Sequence, residues 1–154
     1  MRPIGTQNIS TRRLVLRAPE LTDADALVRI KSLAMPVADA RKAVAAMVDE
    51  RSHPFNFHWV ITLDGVVIGR VKGWEVSPYN GFVQLGYDIG AEYRNHGYMT
   101  EAVQGVLDYL MNKAEANRVY CSVRDSNPAS CRVCERYAPR RPHAPALCTA
   151  GWRL

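Results

Sequence analysis

The run Arg94-Asn95-His96-Gly97-Tyr98-Met99-Thr100 sets a cation, a glycine and small hydrogen-bonding groups directly before a helical pattern. Just upstream, Phe82, Leu85, Tyr87 and Ile89 are strand-forming, and from about Met99 the apolar residues switch to helical spacing. A strand, a glycine-bearing loop and a helix in that order leave backbone N–H groups unpaired at the helix start. With the positive end of the helix dipole, those donors suit a phosphate or pyrophosphate. Gly97 removes a side chain where the backbone has to approach an anion closely, and Arg94 adds charge or braces the loop. In isolation these residues are ordinary turn chemistry, so the weight of the reading rests on their surroundings.

Other chemistry is thin. The cysteines are Cys121, Cys131, Cys134 and Cys148, and Cys131-Arg132-Val133-Cys134 is a C-x-x-C without the two further ligands at zinc spacing that a metal site requires. They read as semi-buried thiols, with no metal site. Of the net charge of +5, residues 128–154 contribute +4 through Arg132, Arg136, Arg140, Arg141 and Arg153 against Glu135. The remaining chain is near neutral, which argues against a nucleic-acid footprint. No apolar run reaches membrane-spanning length and the first residues lack a signal-peptide core, so no membrane partner and a cytoplasmic location are the expectation.

The elements that must position the loop follow from periodicity. Thr11 to Ala18 alternates as a strand ended by Pro19. Thr22 can cap a helix whose first turn holds Asp23 and Asp25, Pro36 breaks it, and Val37 to Asp49 is a second helix. Phe57–Leu63, the turn Asp64-Gly65 and Val66–Trp74 form a hairpin, and Phe82–Ile89 completes an antiparallel meander. A third helix spans about Met99–Ala116, a strand Arg118–Val123, and Pro128 opens a fourth helix reaching about Tyr137.

In this order the chain resembles the GNAT superfamily of N-acetyltransferases, and within it the RimJ/RimL-like branch of ribosomal-protein N-terminal acetyltransferases. Thr11-Arg12-Arg13-Leu14-Val15-Leu16-Arg17 is similar to the family's T-x-R-L-x-L-R, and Leu85-Gly86-Tyr87-Asp88-Ile89 to its central strand. Arg94 to Met99 resembles the [QR]-x-x-G-x-[GA] loop in all but the last position, and Asn127-Pro128-Ala129-Ser130 with Arg132, Val133 and Glu135 resembles N-x-x-S-x-R-V-x-E. The resemblance implies an α+β, three-layer fold with a mixed, mostly antiparallel sheet and helices on both faces. It implies an acyltransferase using acetyl-CoA as cosubstrate to acetylate a primary amine, either a peptide or protein N-terminus or a small amine. Asp88, Ile89 and Gly90 would hold the pantetheine arm, Arg94, Asn95, His96, Gly97, Tyr98, Met99 and Thr100 the pyrophosphate, and Asn127 the arm from its other side. Ser130 and Tyr137 would protect the leaving thiolate. The family's frequent carboxylate falls on Gln84, which cannot be a base, so Glu75, Asp88 or a water chain would stand in.

After Tyr137 the resemblance stops. Residues 1–137 read as the GNAT domain and 138–154 as a Pro/Arg-rich tail that begins Ala138-Pro139-Arg140-Arg141, as a frameshift or truncation would produce. Its prolines at 139, 142 and 145 bar a helix or central strand there, so the fold is expected to lack the family's C-terminal β-hairpin. The strand at 118–123 would then be an exposed edge, and the uncovered apolar surface would invite homodimerisation. A chain so altered also admits a non-catalytic acyl-CoA-binding remnant or an interaction protein as the alternative.

Overall fold

Alternation in the strand at 58–63 sends Trp59 and Ile61 into one apolar cluster and Val60 into another, on opposite sides of a sheet. The computed structural model describes residues 1–30, 33–124, 126–137 and 147–153, the last as backbone. Its seven strands lie side by side in chain order: β1 (Ile9–Ser10), β2 (Leu14–Arg17), β3 (His58–Leu63), β4 (Val66–Ser77), β5 (Phe82–Ile89), β6 (Arg118–Arg124) and β7 (Leu147–Arg153). Neighbours are antiparallel except β5 and β6, which are parallel and joined by a helical crossover. Helices α1 (Asp23–Arg29) and α2 (Val37–Asp49) cover the Val60 face. Helix α3 (Tyr98–Asn112) buries Met99, Ala102, Val103, Val106 and Leu110 on the other face, against Leu14, Leu16, Trp59, Ile61 and Leu85. Helix α4 (Pro128–Tyr137) packs beside β6 through Cys131 and Cys134, which meet Cys121.

The mixed three-layer arrangement is the one expected, with differences at the ends of elements. Thr22 makes no side-chain cap; the Asp23 carboxylate accepts from the Glu20 backbone N–H at 2.7 Å instead. Helix α3 ends at Asn112 rather than Ala116, because Glu115 turns left-handed at φ 53° and cannot continue it. The exposed edge expected at residues 118–123 is corrected: β7 pairs with β6 from Arg118↔Arg153 to Arg124↔Leu147. The prolines forbid a strand only through 145, and the chain beyond them is free to pair. Residues 138–146, where any companion strand of a hairpin would start, lie outside the described residues.

The pairing of β5 creates the feature on which the site depends. With β4 it extends to Ile89↔Gly69, and a Cβ on Gly69 would lie 2.5 Å from the Asp88 carbonyl oxygen, so these strands close tightly. With β6 it stops at Leu85↔Cys121, although β5 continues to Ile89 and β6 to Arg124. Beyond Leu85 the two strands part.

Two buried polar groups outside the site make stability sensitive to mutation and pH. Arg17 grips Asp23 with two parallel bonds of 2.8 Å, and Asp23 is 3% exposed. That hydrogen bonding raises the Arg17 pKa and ties the end of β2 to the start of α1. Asp23→Ala leaves the guanidinium without its carboxylate, and we expect a loss of about 3 kcal/mol in urea unfolding. His58, 2% exposed, is pushed down to about 3 by burial, then by Lys72 and Arg70. The unfolded chain therefore binds the extra proton first. Stability is full above the ordinary histidine pKa near 6.5 and falls as pH drops toward 3, by up to about 1.4 kcal/mol per pH unit. A His58→Phe protein followed by denaturant melts from pH 7 to pH 4 should show a flatter profile than the parent.

Candidate functional site

Where β5 and β6 part, a cleft of about 690 Å³ opens. Tyr87, Asp88 and Ile89 of β5 form one wall, and Asn127, Ala129, Ser130, Arg132, Val133 and Arg136 form the α4 wall. Its end is closed by Arg94, Asn95, Gly97, Tyr98, Met99 and Thr100.

Local chemistry explains each part. A short 3-10 turn at Ala91–Tyr93 leads into a loop in which Asn95 (φ 63°) and Gly97 (φ 77°) are left-handed on either side of His96. Gly97 is the capping residue of α3, so no side chain there claims the N–H groups of the first turn. Helix α4 is capped instead by Asn127, whose Oδ1 accepts from the Ser130 N–H at 3.2 Å, with Pro128 at the first helical position. Helical spacing then divides α4. Ala129, Arg132, Val133 and Arg136 face the cleft, while Cys131 and Cys134 are buried behind it. Across the parted strands the Tyr87 hydroxyl donates to the Ser130 carbonyl at 3.1 Å and lies 3.1 Å from the Cys134 Sγ. Burial, followed by Cys134, pushes the Tyr87 phenol up, so it stays protonated. The bond from Cys121, and less that from Tyr87, lowers the Cys134 thiol.

A cleft between diverging parallel strands, ending on a helix start that has no side-chain cap and flanked by arginines, suits a long ligand with an anionic centre. Residues 13–138 match the acetyltransferase (GNAT) domain family. This chain belongs to that family. It is an acyltransferase, 28% identical over 140 residues to the uncharacterized N-acetyltransferase p20 of Bacillus licheniformis, covering 82% of this chain and 79% of that protein. Among solved structures it resembles Mycobacterium smegmatis RimJ in complex with CoA-disulfide, with TM-score 0.83, 18% identity and coverage of 96% of this chain and 88% of that one. It also resembles a Salmonella typhimurium acetyltransferase that modifies the N-terminal serine of ribosomal protein L7/L12, with TM-score 0.80, 16% identity and coverage of 96% and 99%.

In this GNAT chain the fold brings Asp88, Ile89, Arg94, Asn95, Gly97, Tyr98, Met99, Thr100, Asn127 and Ser130 to one cleft. Four of the sequence-derived candidates fall outside its lining. Gly90 is buried and donates its N–H to the Ile68 carbonyl at 2.9 Å, anchoring the start of the loop. His96 is exposed, its Nδ1 2.7 Å from the Arg94 carbonyl and its ring stacked on Tyr98. The Tyr137 hydroxyl donates to the Thr100 carbonyl at 2.7 Å, which binds the end of α4 to the first turn of α3. Glu75, exposed on β4, accepts from the Tyr120 hydroxyl at 3.0 Å. The Asp88 carboxylate accepts from Arg70 Nε at 2.8 Å. Sequence reasoning overlooked Tyr87, Tyr93, Arg132, Val133, Glu135 and Arg136 as lining residues. For Arg132, Val133 and Arg136 the signal was present, since they follow Ala129 at three, four and seven residues on one helical face. Tyr87→Phe removes the hydroxyl bridge between β5 and α4 and leaves the ring in place; we expect about 1 kcal/mol lower stability in equilibrium unfolding.

Proposed function

We propose that this GNAT enzyme transfers the acetyl group of acetyl-CoA to a primary amine, a peptide or protein N-terminus in the first place and a small amine in the second, by direct attack on the thioester. The observation that carries the proposal is the cleft between β5 and β6 that ends on the first turn of α3. The residues fit such a cosubstrate. Past Leu85, the β6-facing backbone edge of β5 has no strand partner among the described residues, a place for the strand-like contacts of a pantetheine arm at Asp88 and Ile89, while Gly90, its N–H and carbonyl bonded to Ile68 and Tyr93, anchors the turn behind them. The loop N–H groups with Arg94 fit a pyrophosphate, and Arg132 and Arg136 add positive charge along the opposite wall. Asn127 uses its Oδ1 in the cap, and its amide NH2 takes no part in that bond. Acetyl-CoA, when bound, supplies an activated acyl group.

In this reading the protein's own contribution is orientation and proton handling. An extended cleft holds the acyl donor against an amine that has to be neutral to attack. Ser130 is the hydroxyl on the cleft wall suited to protect a leaving thiolate, and its helix turn is held by Asn127 from one side and by Tyr87 from the other. Tyr137, bonded to Thr100, braces the loop rather than donating a proton. Glu75, the remaining base candidate, stands beside Tyr120 and in register with Gln84. Because Glu75 lies outside the cleft lining, the proposed route is loss of the amine proton to water. The Salmonella neighbour's N-terminal serine acceptor supports a protein N-terminus as substrate.

The test is a calorimetric titration with acetyl-CoA and CoA, followed by thiol release against a panel of peptides and small amines. Gly97→Glu places a side chain at φ 77° and an anion in the loop, and should abolish cosubstrate binding. Ser130→Ala should keep that affinity and lower kcat about tenfold to a hundredfold. Gln84, where a carboxylate is frequent in the family, favours a second reading, a non-catalytic acyl-CoA-binding protein. Tight binding without thiol release for any amine would establish that reading instead.

A further inference from the structure

The stretch Thr11–Arg17 reaches from β2 to the first turn of α3. Glu101 lies in the first turn of α3, where a carboxylate would sit close to any anion held by the loop. It is not in the cleft lining; it is drawn into a neighbouring groove between β1 and α3. Three donors hold it there: the Thr11 hydroxyl at 2.6 Å, the Arg13 backbone N–H at 2.7 Å and Arg13 Nε at 2.7 Å. Burial raises the Glu101 pKa, and these bonds outweigh it and leave the carboxyl below its ordinary value, so it is a full anion beside the loop. The same guanidinium donates through Nη1 to the His96 carbonyl at 3.1 Å and lies 4.6 Å from the centre of the Tyr98 ring. Its Nη2 is 3.5 Å from where a Cβ on Gly97 would stand. One side chain thus touches both residues flanking Gly97 and neutralises the acid that follows them.

We infer that Arg13, with Thr11, is a positioning residue for the anion loop: it turns the Glu101 carboxylate and the His96 carbonyl toward itself, so that the first-turn N–H groups of α3 face the cleft unopposed. This rests on the reading of the cleft as a CoA site. Arg13 acts through both shape and charge. Arg13→Ala loses both, and also leaves the Glu101 anion without its cation near the pyrophosphate. Arg13→Lys keeps the charge and loses the planar fork that reaches Glu101 and His96 together.

Titrations with CoA and with pantetheine, which lacks the pyrophosphate, distinguish the outcomes. For Arg13→Ala we expect CoA binding weakened about tenfold or more and pantetheine binding within about twofold of the parent. Adding Glu101→Gln to Arg13→Ala should restore part of the CoA affinity, since the uncompensated carboxylate is gone, and Arg13→Lys should fall between parent and alanine variant. Should the alanine variant fail to melt cooperatively, Arg13→Lys with and without Glu101→Gln makes the same comparison. Unchanged CoA affinity in the variants overturns the inference. Equal weakening toward CoA and pantetheine also overturns it, because that is the mark of a merely structural role. A parent protein that binds neither ligand overturns the CoA reading itself and the inference with it.

Discussion

The constraint on which this structure depends is a parallel pairing that stops early. β5 and β6 share register from Phe82↔Arg118 to Leu85↔Cys121 and then part, while β4 keeps its hold on β5 to Ile89. Unpaired strand backbone inside a fold is costly unless something hydrogen-bonds it. Here the parted edge is turned to use. It forms one wall of a cleft that α4 completes, and the loop after β5 delivers the start of α3 to the cleft's end. The tight approach at Gly69 and the Gly90 N–H bonded to Ile68 keep β5 fixed on its other side, so that the opening occurs toward β6.

The divergence has to be held open without being allowed to unravel. Tyr87 does this from β5, reaching across to the Ser130 carbonyl and the Cys134 thiol. The buried thiols of Cys121, Cys131 and Cys134 fill the narrow end, small enough for α4 to sit close to β6. At the far end Tyr137 joins α4 to Thr100, and the motif Thr11–Arg17 joins β2 to α3. That motif divides its labour by residue. Thr11 and Arg13 act on Glu101, Leu14 and Leu16 enter the core, and Arg17 fixes α1 through Asp23. One stretch therefore ties α3 and α1 to the sheet.

The polar groups that look most chemical in isolation are largely committed to such bracing. The Asp88 carboxylate is bound to Arg70, His96 to its own loop, and Glu75 to Tyr120. This leaves a site richer in hydrogen-bond donors and cations than in bases, which suits the holding of an anionic acyl donor more than abstraction of a proton by a strong base.

Much of this was legible in the chain. Alternation at 57–63 and 66–74, the Asp64-Gly65 turn, the helical spacing of 37–49 and the Pro128 helix start are local, and local sterics and burial periodicity decide them. The loop from Arg94 to Thr100 was legible for the same reason, since glycine at positive φ before a helix is a backbone requirement written into residue type. Tertiary structure decided what each polar side chain does with its partners. That Arg13 meets Glu101 88 positions away, that Tyr137 bonds Thr100 and leaves the cleft, and that residues 147–153 close the edge of β6 depend on long-range pairings that no local pattern encodes. The sequence by itself determined most of the elements and the glycine loop before α3. Only the packing of β5 against β4, and its release from β6, decided that the loop ends a cleft.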